Sequence, residues 1–234
     1  MVSGDAANRN AGVAAFLFDL DGTLVDSVYQ HVLSWHEALH AEGIRLSVWR
    51  IHRRIGMSGG LFTRALLRET GLEMSEERRQ RLRRLHAEGY ARRAAQIQPL
   101  PGARELLDHL TAKGVPWAIG TSGRMESARL TVATLGLDAD KVPLVTRDQV
   151  RYAKPDPDLF LAAADRLEAD IRSSVVVGDS VWDLLAARRA GALGVGLLSG
   201  GYGEDELQRA GAYRVYQDPE DLLRHLDEVG LRQE

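Results

Sequence analysis

The sequence predicts an α/β fold: a doubly wound parallel sheet with an inserted α-helical cap-like segment. Two patterns and one irregularity predict it. Short β-branched and aromatic runs alternate with stretches of helical period, which is the arrangement of a parallel sheet covered on both faces. The first run, residues 13–18, is apolar throughout, as a strand buried on both faces requires. The irregularity follows it. Several helical stretches fill residues 27–96, where one crossover helix suffices to join parallel neighbours. An insertion accounts for this, with core segments at 1–25 and 97–234 and the insertion at 26–96.

Within the insertion, Val28, Val32, Trp35 and Leu39 share one helical stripe, and Gly43 supplies a stop. A short helix is expected over 48–55, ending at Gly56. A third carries Leu61, Phe62, Ala65 and Leu66 and stops by Gly71. A fourth starts after Ser75, an N-cap followed by Glu76 and Glu77, and is arginine-rich and largely solvated. Beyond Pro99, Pro101 and Gly102 the alternation resumes. Helices are expected near 102–113, 125–135, 157–168, 181–190 and 219–228. Strands are expected near 115–119, 142–145, 175–177, 194–198 and 213–216. Pro116 has no N–H to donate, so it marks a strand start or an irregularity.

Composition narrows the function. The 234 residues are 44% hydrophobic and 27% charged, ordinary for a globular chain able to bury a core. The net charge of −3 provides no basic field for nucleic acid or an anionic membrane. There is no cysteine, which excludes disulfides, thiolate metal sites and a cysteine nucleophile, and suits a reducing cytoplasm. No apolar run approaches the roughly 20 residues of a membrane span. Residues 1–12 are polar, lack the apolar stretch of a secretory signal, and are expected to be a frayed tail. Lys113, Lys141 and Lys154 are the only lysines in a chain that otherwise uses arginine, so each departs from habit.

In an open parallel sheet, ligands bind beyond the carboxyl ends of the strands. After the first strand come Asp19 and Asp21, two apart and so on one side of an extended chain, then Gly22 and Thr23. Such paired carboxylates repel, and a divalent cation offsets the repulsion. After the second core strand come Thr121, Ser122, Gly123 and Arg124, hydroxyls and N–H groups at a helix start that suit an anion. Lys154 precedes Pro155, Asp156 and Pro157, two prolines that fix the backbone around it. After the strand at 175–177 come Asp179 and, one helical turn on, Asp183. Oxygen ligands without cysteine indicate Mg²⁺. Metal, lysine and helix N-terminus together suit a phosphate, and Asp19 becomes a candidate nucleophile.

These four motifs, in this order and spanning residues 16–198, resemble the haloacid dehalogenase superfamily. The likeness is to its helical-cap phosphatase branch, which includes phosphoglycolate phosphatase and β-phosphoglucomutase-like members. The resemblance implies a Rossmann-like core and a Mg²⁺-dependent phosphomonoester hydrolase acting through an aspartyl-phosphate. It implies Asp19 as nucleophile and Asp21 as acid and base. Thr23, Thr121, Ser122, Gly123 and Lys154 are expected around the phosphate. The metal is expected among Asp19, the backbone carbonyl of Asp21, Asp179 and Asp183. The expected partner is a small phosphorylated metabolite, and the chain is expected to be a monomer or homodimer. A phosphosugar mutase is the alternative. Such mutases resemble this chain but carry Glu-Asp where it has Gly178 and Asp179, and an arginine soon after the cap's Gly-x-Ser, where Gly56, Met57 and Ser58 are followed by Gly59.

The insertion offers His31, Arg54 and Ser58 as substrate contacts, and the core offers Arg124. His36-Glu37-Ala38-Leu39-His40 matches the zinc-peptidase pattern H-E-x-x-H. The longer form of that pattern needs a third histidine where Leu46 stands.

Overall fold

The computed structural model describes residues 14–71 and 73–230. The tail expected over 1–12 and the start of the first strand at Val13 lie outside the described residues. In chain order the strands are β1 (Phe16–Phe18), β2 (Val25–Asp26), β3 (Gln98–Pro99), β4 (Trp117–Gly120), β5 (Leu144–Val145), β6 (Val175–Gly178), β7 (Leu193–Leu197) and β8 (Ala212–Tyr216). Six of them form one parallel sheet in the order β5-β4-β1-β6-β7-β8. The chain winds outward from β1 through β4 to β5, then returns to the other side of β1 at β6. The strand order therefore reverses at the β1–β6 boundary, the place where a doubly wound sheet opens a crevice for ligand.

Alternate side chains of the strands feed two cores, as a twofold strand repeat requires. Phe16, Phe18, Ile119 and Val177 pack with Leu106 and Leu110 of α5 (Ala103–Ala112), Val132 of α6 (Met125–Thr134) and Leu222 of α10 (Pro219–Arg224). Leu17, Ala118 and Val176 face the opposite layer. There they meet Leu159, Phe160 and Ala163 of α7 (Asp158–Arg166) and Ala186 of α8 (Val181–Ala190).

The segment between β2 and β3 is helical: α1 (Val28–Ala41), α2 (Val48–His52), α3 (Gly59–Thr70) and α4 (Glu76–Arg92). It has its own apolar cluster, in which Val32, Trp35 and Leu39 meet Ile51, Phe62, Leu66 and Leu82. The chain leaves and re-enters the core side by side, because β2 and β3 pair antiparallel, Val25 with Pro99 and Asp26 with Gln98.

Several boundaries differ from the sequence reading. Strand β4 begins at Trp117, after Pro116, whose carbonyl accepts the Phe16 N–H at 2.9 Å although its nitrogen has nothing to donate. Helix α2 stops at His52 and gives way to a turn through Gly56, whose φ of +95° suits glycine. The final helix is shorter, with α10 ending at Arg224 before a 3₁₀ turn over Leu226–Val229. An unforeseen helix, α9 (Glu204–Ala210), follows β7. Among the described residues, no helix is long and apolar enough to cross a membrane.

Candidate active site

Asp19 is the first residue past β1. Its N–H donates to the Val177 carbonyl at 2.9 Å, which carries the β1–β6 pairing one step further and pins the residue in the crevice. The chain then turns sharply. Gly22 has φ +87°, and a β-carbon there would lie 2.5 Å from Asp179 Oδ2, so this turn is open only to glycine. Gly200, on the loop after β7, is equally tight, since its β-carbon would lie 1.8 Å from the same oxygen. The Asp179 carboxylate is thus clamped between two glycine backbones, and the Thr23 hydroxyl donates to its Oδ1 at 2.9 Å.

Lys154 is fully buried. Its ammonium is hydrogen-bonded to Asp19 and lies 2.8 Å from Asp183 Oδ1. Asp183 is held in turn by the Ser180 N–H at 3.1 Å and by the Ser180 hydroxyl, at the start of α8. The carboxylates of Asp19, Asp179 and Asp183 offer oxygens within 4.8 Å of one another. Burial pushes the Asp19 carboxyl up to about 7, with Asp183 and Asp21 adding to the effect and Lys154 opposing it. Burial, Asp183 and Asp19 likewise push Asp179 well above the usual carboxylate range. Burial works against the Lys154 charge, but Asp183 and Asp19 outweigh it and hold the ammonium up to about 12.

Once ionised, three buried carboxylates facing one ammonium leave two negative charges unbalanced. A hard divalent cation with oxygen ligands restores that balance. The donor set therefore fits Mg²⁺.

Asp21 faces the insertion. Ser27 Oγ donates to its Oδ1 at 2.6 Å and Tyr90 OH at 3.3 Å, and His31 Nε2 lies 3.2 Å away. Burial pushes this carboxyl up, but His31 and the Ser27 hydroxyl outweigh it and hold it below its ordinary value. Ring stacking backs His31, with Tyr90 at 3.9 Å and His86 at 5.2 Å between centroids, and its Nδ1 lies 3.1 Å from His86 Nε2. Burial, with His31 beside it, pushes His86 well below the usual imidazole value.

A cavity of about 460 Å³ opens between the core rim and the insertion. Asp19, Asp21, Thr121, Ser122 and Gly123 line its floor. The Ser122 hydroxyl is buried there without a hydrogen-bond partner, while Thr121 Oγ1 accepts the Gly123 N–H at 2.9 Å. Arg54 and Arg124 also line the cavity. Arg54 is bound to Glu69 and the Arg50 carbonyl, and Arg124 lies 3.2 Å from Asp148.

Two expected substrate contacts are placed otherwise. Thr23 is turned to Asp179, because the tight turn at Gly22 carries its hydroxyl behind the carboxylates. Ser58 is buried as the N-cap of α3, its hydroxyl accepting the Leu61 N–H at 3.4 Å. In the H-E-x-x-H segment, Glu37 is ion-paired with Arg93 and with Arg92 at 3.2 Å. Among the described residues, Asp19, Asp179 and Asp183 are the one group of three or more acids and histidines spaced to share a metal ion.

Sequence reasoning missed His86 and Tyr90. A signal existed: Leu82, His86 and Tyr90 recur every four residues along α4, a stripe in which Leu82 and Tyr90 are buried and His86 half-buried, hidden by the arginines around it.

The fold and this rim define a class. Residues 13–191 match the model of the haloacid dehalogenase-like hydrolases, and the chain belongs to that family. It is 35% identical over 178 residues to hexitol phosphatase A of Escherichia coli, covering 75% of this chain and 79% of that one. It is 30% identical over 210 residues to phosphoglycolate phosphatase of Rhodospirillum rubrum, covering 87% of each. A solved hydrolase from Pseudomonas syringae superposes with a TM-score of 0.92 at 56% identity, covering 93% of this chain and all of that one.

Proposed function

We propose that this protein is a Mg²⁺-dependent phosphatase that hydrolyses the monoester of a small phosphorylated metabolite through an aspartyl-phosphate on Asp19. The observation that carries the reading is the buried contact of Asp19 with Lys154 at the mouth of the β1–β6 crevice, beside the unpartnered Ser122 hydroxyl. The relatives named as phosphatases support it.

Asp19 attacks phosphorus in line, and the ester P–O bond breaks as the Asp19–phosphorus bond forms. Asp21, ionised in the free enzyme, takes up a proton when the phosphate dianion binds beside it and gives that proton to the departing alcohol oxygen. It then takes a proton from water, whose oxygen attacks phosphorus and releases Asp19 and inorganic phosphate. Ser122 and Lys154 hold the phosphoryl oxygens, supplying the alignment and charge neutralisation on which phosphoryl transfer depends. Asp19, the Asp21 carbonyl and Asp179, with Asp183 beside them, would hold Mg²⁺, which would supply charge neutralisation on the transferred group.

Hydrolysis is favoured over the mutase alternative by Gly178. A β-carbon there would lie 2.2 Å from Asp183 Cβ, so the glutamate of mutases has no room. The lack of cysteine suits a cytoplasmic enzyme.

The test is a screen of phosphate monoesters with Mg²⁺ and with excess chelator. Activity is expected only with the metal, and Asp19→Asn is expected to lower kcat by about four orders of magnitude or more. Near-normal turnover by folded Asp19→Asn protein overturns the reading.

A further inference from the structure

We infer that His52 of the insertion is a positioning residue for Asp179, and that docking of the insertion and binding of the divalent cation support each other through this contact. The inference rests on the metal site proposed above.

His52 is buried at the end of α2. Its Nε2 lies 2.8 Å from the Gly200 carbonyl. A carbonyl oxygen only accepts, so Nε2 carries a proton and donates, whether the imidazole is neutral or charged. Gly200 is itself buried, and among the described residues His52 is the one donor to its carbonyl. The ring is held in place for this bond. It stacks on Tyr29 of α1 at 5.5 Å between centroids, with 12° between the planes, and Tyr202 flanks it at 5.7 Å.

The Gly200 backbone touches the metal site as well. A β-carbon on Gly200 would lie 1.8 Å from Asp179 Oδ2, so the glycine is in direct contact with that carboxylate. Gly22 approaches the same oxygen from the turn after β1. The Ser199 hydroxyl donates to the Gly22 carbonyl at 2.6 Å and ties the two glycines together. Residues 199–201 are thus one short span with three anchors: the turn after β1 through Ser199, Asp179 through Gly200, and the insertion through His52. Contacts that orient a metal-binding side chain from outside are worth about 10–100-fold in metal affinity. Without the His52 N–H the Gly200 carbonyl is left buried and unpaired, a cost the peptide relieves by rotating, which takes the glycine off Asp179. The coupling runs both ways by linkage: a cation that fixes Asp179 also fixes Gly200, and so strengthens the docking of α2.

The experiment measures Mg²⁺ binding by calorimetry in the wild-type protein, His52→Phe and His52→Gln. Phenylalanine keeps a ring between the two tyrosines and lacks the N–H, whereas glutamine brings an amide N–H to the place of Nε2. His52→Phe is expected to raise the Kd for Mg²⁺ about tenfold, and His52→Gln by no more than about threefold. Hydrogen exchange reads the reverse direction. The Arg53, Arg54 and Ile55 amides donate to the carbonyls of Trp49, Ile51 and His52. Saturating Mg²⁺ is expected to slow their exchange several-fold in the wild type and to leave it unchanged in His52→Phe. Neither measurement needs turnover, so the coupling is tested apart from the phosphatase chemistry, and the wild-type exchange decides it even if His52→Phe does not fold. A wild-type Kd in folded His52→Phe overturns the inference. So does an equal loss in both variants, which packing alone would give, or wild-type exchange at residues 53–55 that ignores Mg²⁺. Wild-type protein that binds no Mg²⁺ overturns the metal site itself, and the coupling with it.

Discussion

Asp19 and Lys154 show how much of this site is set by burial at single residues. The Asp19 carboxyl, raised from an ordinary 3.8 to about 7, keeps a proton in the fold that the unfolded chain has already released. Over that window the folded state binds more protons, so this group costs stability as pH rises from about 4 to about 7. Asp179 acts in the same direction. Lys154 has the opposite sense. With its pKa raised from 10.5 to about 12, its stabilisation is complete below the first value and lost as pH rises through the second. Metal-free protein is therefore expected to lose Tm between about pH 4 and 7, with a shallower loss in Asp19→Asn. Added Mg²⁺ is expected to raise Tm most near pH 7, where cation and proton no longer compete. Lys154→Met removes the one cation from a buried acidic cluster and is expected to cost about 3–5 kcal/mol in urea unfolding at neutral pH. A Tm that stays flat or rises over that window in metal-free protein would show that Asp19 is already ionised.

At the level of elements, the legible features were those with a local physical signature. Residues 13–18 read as a strand because both faces are apolar, and Asp19 read as functional because it follows such a strand directly. The start of α8 was legible because Asp183 sits one turn past Asp179. Helix α9 was not, since with seven residues and only Leu207 and Ala210 buried it shows too little periodicity. Strands β2 and β3 have two residues each, and their pairing spans the whole insertion, so no local pattern announces them. Gly200 was invisible for a related reason, because its demand for glycine comes from Asp179 on another element. Gly200→Ala puts a methyl group where Asp179 Oδ2 now lies. The carboxylate must move by about an ångström, a misplacement that costs on the order of 10²-fold in rate. The variant is expected to fold with a near-native circular dichroism spectrum and to bind Mg²⁺ more weakly by calorimetry. Wild-type affinity in this variant would mean that Asp179 is not a ligand.

Across the whole molecule, the insertion touches the core at Asp21, which Ser27, His31 and Tyr90 hold, and at two further places. The β2–β3 pair tethers it covalently beside the phosphate site. Opposite this tether, α2 and the turn after it dock on the loop that follows β7. His52 Nε2 lies 2.8 Å from the Gly200 carbonyl, and Tyr202 OH donates to the Arg53 carbonyl at 3.0 Å. The Arg53 guanidinium sits 4.1 Å from the centre of the Tyr202 ring and pairs with Glu206 of α9. If residues 26–96 move as a lid on the tether, these contacts form the clasp that holds it shut. The Arg53–Glu206 pair is the weak part of this clasp, because each partner is about one-third exposed and such pairs contribute about 0.2–1 kcal/mol. A contact of that strength releases readily, which helps water reach the aspartyl-phosphate after the alcohol leaves. Glu206→Gln is therefore expected to shift the lid toward open by a factor of about two to five, raising KM by a similar factor with little loss of kcat. Because the chain has no cysteine, cysteines placed at Glu73 and Lys113 can carry spin labels without background. The expected result is a distance distribution that gains a longer component in Glu206→Gln and returns to a single shorter one when a non-hydrolysed phosphate analogue binds. Identical distributions in the two proteins, with KM unchanged, would remove the Arg53–Glu206 pair from the account of closure and leave the tether and the contacts of Ser27, His31 and Tyr90 with Asp21 to hold the insertion.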